Sequence, residues 1–177
     1  ICMLTFWSVD DRTTLKVVQV EVQELKRRVE MEIKLRKEIL PEIKKSSTLL
    51  SMHNPDLDAL TALAYAIKIW QCSDEVVPHE LLTALIVVES GARHNAISPR
   101  GALGLTQIMP TSWPYAHGQL KDPFKNIELG ADILRQNIKQ HGLIGGLRVY
   151  NAGNLNQNTD ASLKYAKKVL DTANKHF

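Results

Sequence analysis

A chain of 177 residues has room for one domain of ordinary size and an appendage. With 44% hydrophobic and 23% charged residues it is globular in composition, and a net charge of +3 excludes the strong positive field of a nucleic-acid binder. Cys2 and Cys72 have no metal-ligand spacing, and no His-x-x-x-His or Cys-x-x-Cys pattern occurs, so neither a metal nor a cofactor is expected.

Residues Ile1 to Val9 are apolar but too few to cross a bilayer, which takes about 20 residues. They are either the end of a membrane anchor lying upstream of residue 1 or an apolar plug that packs on a partner. From Asp10 to about Lys45 the spacing predicts one long helix. Leu15, Val18, Val22, Leu25 and Val29 fall at heptad a and d positions, and Glu32 interrupts the run before Ile33 and Ile39 carry it on. A lone helix gains little from propensity, so this stripe predicts burial against copies of itself or in a larger assembly. The many charges between the apolar positions read as a solvated face.

Lys44 to Asn54 is the expected boundary, giving a stalk over 1–46 and a second domain over 47–177. A helix is predicted from Pro55 to about Gln71, with Asn54 as its cap. Trp70 and Cys72 on this helix read as core residues rather than as a sugar platform or a reactive thiol.

The central stretch runs from His79 to Pro110. Leu81, Leu82, Ala84, Leu85, Ile86, Val87 and Val88 form an apolar run that predicts a buried helix, with Pro78 in its first turn and Gly91 just past its end. Glu89 therefore stands in the last turn. Apolar surroundings and the partial negative charge of a helix C-terminus both disfavour its charged form. A raised pKa suits a general acid near neutral pH. Beyond it come Ser98-Pro99, Gly101, Gly104, Gln107 and Pro110, a turn-rich stretch. Gln107 offers the donor and the acceptor that a sugar demands. No Asp or Glu lies between Ser90 and Lys121, so a second acid for a two-carboxylate glycosidase is not close in sequence.

Further along, Trp113 or Tyr115 is a candidate to stack on a sugar. Asp122-Pro123 reads as the start of a helix whose stripe is Ile127, Ala131, Leu134 and Ile138 and which ends at His141-Gly142. A last helix is expected from about Ala161, capped by Asp160, with Leu163, Ala166, Leu170 and Ala173 inward. Lys164, Lys167 and Lys168 face outward, where a helix C-terminus favours cations. No segment has strand periodicity.

Three motifs in order resemble the catalytic core of the soluble lytic transglycosylases. They are Glu89-Ser90, then Gly104-Leu105-Thr106-Gln107-Ile108-Met109-Pro110, then Tyr150-Asn151-Ala152-Gly153, with Ser98 to Ala102 matching Ser-Pro-x-Gly-Ala. Asn126 to Gly130 matches a further Asn-x-x-x-Gly pattern. The resemblance covers roughly residues 74–171. It implies an all-α fold with a goose-type-lysozyme-like catalytic domain, here preceded by the long N-terminal helix.

It also implies cleavage of the β-1,4 bond between N-acetylmuramic acid and N-acetylglucosamine in peptidoglycan, leaving a 1,6-anhydromuramic end. Glu89 is then the single acid and base. Ser98, Gln107, Met109 and Tyr150 match sugar-contacting positions, and Tyr150 stands where the family hydrogen-bonds the catalytic carboxylate. Ser90, Asn151 and Tyr165 are supporting residues. Thr106 replaces a methionine whose apolar contact lies near the peptide stem. Ala161 replaces a glutamate four residues before the tyrosine matched by Tyr165. The expected setting is the periplasm, the cell envelope or a phage virion, with local wall opening for secretion, conjugation or phage entry. Two alternatives stand beside this reading. One is a hydrolase of the same fold, and the other is a structural wall-binding protein with little turnover.

Overall fold

The computed structural model describes residues 11–111, 117–153 and 160–177. The elements are α1 (Asp11–Lys34), a π-helical turn (Leu35–Ile39), α2 (Leu40–His53), α3 (Ala59–Cys72), α4 (His79–Ser90), α5 (His117–Lys121), α6 (Pro123–Ala152) and α7 (Asp160–His176). Among the described residues the only extended pairing is two isolated bridges, Ile97 with Leu103 and Leu103 with Ile108. The all-α expectation holds. Ile1 to Val9, Cys2, Trp113 and Tyr115 lie outside the described residues.

Contacts divide the chain into two units, Ile1–Pro41 and Glu42–Phe177. In the first, α1 carries the expected stripe, and Leu15, Val18, Val22, Leu25 and Val29 are each between 44% and 60% exposed. No described helix is long and apolar enough to cross a membrane. Helical structure does not stop near Lys45. It passes Pro41 and continues to His53. Proline lacks an N–H and its ring crowds the carbonyl four residues back. The wider π turn sits just before it, and the Leu40 N–H reaches the Leu35 carbonyl, five residues back. The expected boundary segment is therefore a helix, and it buries Ile43, Ser46, Leu49 and Leu50.

The second unit is built around α4. Leu81, Leu82, Ala84, Leu85, Ile86 and Val87 are all buried, on every side of the helix. A helix apolar all round needs neighbours all round. α3 and α7 pack on it through Tyr65, Ile69, Ala166 and Val169, and Ile127, Leu134 and Leu147 of α6 complete the same core. Truncating one such leucine to alanine typically costs about 2–5 kcal/mol. Pro78 caps α4 from just outside rather than opening it, and Gly91 takes the left-handed conformation (φ 59°) that ends it.

α3 starts four residues later than expected. Its cap is Asp58, whose carboxylate accepts from the N–H groups of Leu60 and Thr61. Asn54 serves a different turn. Its side-chain amide donates to the Ala92 carbonyl at 3.1 Å and so fastens the chain just beyond Glu89. Asp122 and Pro123 start α6 as expected, with Asp122 accepting from the Phe124 and Lys125 N–H groups. α6 breaks at Gly142 (φ 71°), which agrees with the expected end at His141-Gly142. Lys68 pairs with Glu128, and Arg135 pairs with Asp74 and donates to the Cys72 carbonyl, so α3 and the turn after it are tied to α6.

The loop after α4 rests on a second apolar cluster of Leu103, Ile108, Leu120, Leu129 and Ile133. Asn126, wholly buried in the first turns of α6, holds that loop. Its carbonyl oxygen accepts from the Thr106 N–H and hydroxyl, both at 2.8 Å. Its amide donates to the carbonyls of Leu103 and Leu120. One turn on, a Cβ at Gly130 would lie 2.5–2.6 Å from the Thr106 side chain. The Asn-x-x-x-Gly spacing therefore has a packing reason. Asparagine binds the loop, and glycine lets it lie against the helix.

Candidate active site

Glu89 ends α4 where the helix leaves the core. Burial is the main influence on its carboxyl and pushes the pKa up to about 7, against pulls downward from the Tyr165 hydroxyl and the Lys168 ammonium. A carboxyl shifted that far toward neutrality is able both to give and to take a proton. Among the described residues no carboxylate acts on it.

Tyr165, on the first half of α7, donates its hydroxyl to Glu89 Oε1 at 2.5 Å. Its phenol is held well above the usual range, first by burial and then by Glu89's charge, so it stays a donor. Tyr150, near the C-terminal end of α6, donates instead to the Thr106 carbonyl at 2.8 Å. Burial and the nearby Glu89 charge raise its phenol too, so it lies within electrostatic reach of the carboxyl without bonding it. Ser90 is buried and its hydroxyl donates back to the Ile86 carbonyl, which makes it part of the helix end.

A cavity of about 360 Å³ is walled by Tyr150 together with Gln107, Met109 and Asn151 among others, and Glu89 and Tyr165 are not in its wall. Gln107 has a left-handed backbone (φ 52°). Its side-chain amide donates to the carbonyls of Ala96 and Gly104, which leaves its carbonyl oxygen as the group able to accept from a ligand. The donor half expected from sequence is taken up by the loop itself. Ser98 stands in the same loop, where its hydroxyl oxygen accepts from the Ala102 N–H at 2.9 Å and its proton remains to be donated. Thr106 is not in the wall of this cavity; it is fully buried and bonded to Asn126.

Other features fall away from Glu89. Trp70 packs its ring on His79 at 4.9 Å. That is the opposite end of α4, roughly 15 Å from Glu89 at 1.5 Å per residue. A cavity of about 810 Å³ is at that end too, walled by apolar residues such as Leu81, Ile138, Leu143 and Phe177. There Glu42, His79 and Glu80 bring possible metal-ligand atoms within 4.8 Å of one another. The Lys45 ammonium already pairs with both oxygens of Glu42. Cys72 is a free thiol raised by burial. Sequence reasoning missed Lys168 as a neighbour of Glu89. The signal was its place one turn after Tyr165.

The family model described as the transglycosylase SLT domain matches residues 65–172, more than half of the chain, and the protein belongs to that family. No solved structure gives a significant match. Members of the family are lytic transglycosylases, so this chain carries an enzyme domain whose substrate is peptidoglycan.

Proposed function

We propose that the domain cleaves the β-1,4 bond between N-acetylmuramic acid and N-acetylglucosamine without consuming water, with Glu89 as the only acid and base. The observation that supports this is one buried carboxyl whose pKa is pushed up to about 7, bonded by a phenol and within reach of a lysine's charge, with no second carboxylate among the described groups that act on it. Protonated Glu89 donates to the glycosidic oxygen as the C1–O bond breaks. The substrate's own N-acetyl oxygen takes the place of a second carboxylate at C1. Glu89, now ionised, accepts the proton of the C6 hydroxyl, whose oxygen attacks C1 and closes the anhydro ring. The carboxyl is restored and no water enters.

In this reading Tyr165 orients the carboxyl, and the phenol of Tyr150 braces the Thr106 turn and lines the sugar cavity. The free carbonyl of Gln107, the Ser98 hydroxyl and Met109 meet the sugar, while Ser90 and Asn151 hold the backbone around it. Residues 1–41 serve to assemble the enzyme, through the α1 stripe, with copies of itself or with partner helices. Mass spectrometry of digested peptidoglycan is the test. Anhydromuropeptides, lighter by one water than hydrolysed fragments, are expected. Reducing ends as the main product reject the mechanism in favour of a hydrolase.

A further inference from the structure

The outer face of α7 carries Lys164, Lys167, Lys168 and Lys175, which wall a groove of about 440 Å³ together with His53 and Asp171. Elsewhere in this unit Lys45, Lys68 and Lys125 each hold a glutamate. Among the described residues none of the four groove lysines has an ion-pair partner. The helix dipole does not explain them either. Only Lys175 is in the last turn of α7, and Lys164 lies in its N-terminal third, where anions are favoured. Like charges three and four residues apart also weaken a helix.

The groove adjoins the catalytic carboxyl. Lys168 is one turn from Tyr165, whose hydroxyl holds Glu89. The His53 carbonyl lies 3.7 Å from the place a Cβ would take at Gly91, two residues past Glu89. From Lys164 to Lys175 the row is roughly 16 Å long at 1.5 Å per residue. The muramic acid at the scissile bond carries a short peptide ending in free carboxylates. About four or five extended residues span roughly 15 Å.

We propose that this lysine row is a binding site for the carboxylates of the peptide stem, next to the glycan cleft. The inference rests on the reading that muramic acid is bound at Glu89. It makes the enzyme prefer stem-bearing glycan. Ammonium groups on long stems suit carboxylates whose positions vary along a flexible peptide.

The test uses peptidoglycan freed of phosphodiester polymers, either with its stems or stripped of them by an amidase. The full chain should clear the stem-bearing form with a KM about tenfold lower, as expected for a few exposed charge pairs. Raising the salt should erase that gap. The variant Lys164→Ala/Lys167→Ala/Lys175→Ala should lose the preference, and the corresponding triple arginine variant should keep it. Equal KM values for the wild type on the two forms, or a preference that survives in the alanine variant or in high salt, overturn the site. A preference that appears only when phosphodiester polymers are left on the wall overturns it in favour of a phosphate ligand. Cleavage of neither form overturns the proposed activity instead.

Discussion

The Tyr165 hydroxyl, from α7, donates to Oε1 of Glu89, from the end of α4, at 2.5 Å. The bond stabilises the carboxylate form, and so opposes the burial that raises the Glu89 pKa to about 7. Tyr165→Phe removes the donor and should move that pKa further up. Because the first step needs the acid form, the alkaline fall in the pH–rate profile should shift to higher pH. Activity at neutral pH should drop about tenfold, because the carboxyl loses the bond that orients it. A shift of the alkaline limb to lower pH would contradict this role.

Glu89→Gln should abolish wall clearing, by a factor of about 10³ or more, while the fold is kept. It should also change how stability depends on pH. The folded pKa, about 7, lies above the ordinary 4.5. The folded state therefore holds the proton more tightly between those values. Glu89's contribution is fully present below about pH 4.5 and is lost as pH rises through 7, on the order of 3 kcal/mol in all. Thermal melts should show the wild type losing stability across that window and Glu89→Gln lacking this part of the slope. Parallel melting curves for the two proteins would mean that Glu89 is not a buried, protonated group.

Asn126→Ala should be among the most damaging single changes outside the apolar core. It leaves the Thr106 N–H and the Leu120 carbonyl without this partner, while the Leu103 carbonyl keeps only the Ile108 N–H. The cost should be about 3 kcal/mol or more, because each unsatisfied buried group costs about 1–3 kcal/mol. Gly130→Ala should cost about 1–3 kcal/mol by pushing its methyl group into Thr106. Both should weaken substrate binding, since the loop they hold carries Gln107. Denaturant midpoints and KM values check this, and a wild-type midpoint for either variant would refute it.

Removing residues 1–41 should leave a folded, active domain, because every contact described for the site lies beyond them. A cut after residue 45 should do worse, since it removes Ile43, which is buried in the second unit. Val22→Asp with Leu25→Asp should break any assembly made through the α1 stripe, because two charges would enter an apolar seam. Clearing of purified wall should be largely unchanged. Light scattering beside a clearing assay reads both effects. If the full-length protein is a monomer alone, self-association is excluded and only a partner helix explains the stripe.

The sequence by itself determined the main helices and the place of Glu89 at the end of one of them. The unbroken apolar run before Glu89 left no alternative to a buried helix, and Gly91 and Asp122-Pro123 marked ends with local chemistry that needs no partner. Local signals were weaker where two segments compete for the same role. Asn54 and Asp58 can both cap a helix, and only the position of the Ala92 carbonyl decided that Asn54 would fasten another turn. The helical spacing fades near Lys45, and only the burial of Ile43, Leu49 and Leu50 shows that the helix continues to His53.

Tertiary structure alone decided which tyrosine meets Glu89. Both are helical residues tens of positions away, and nothing in either segment states where its hydroxyl will point. Packing of α7 on α4 brings Tyr165 to the carboxyl, while the Thr106 turn, pinned by Asn126, takes the hydroxyl of Tyr150. The pKa of Glu89 is likewise a property of assembly. Its size depends on how much water the packed helices exclude, and no single segment of the chain contains that quantity.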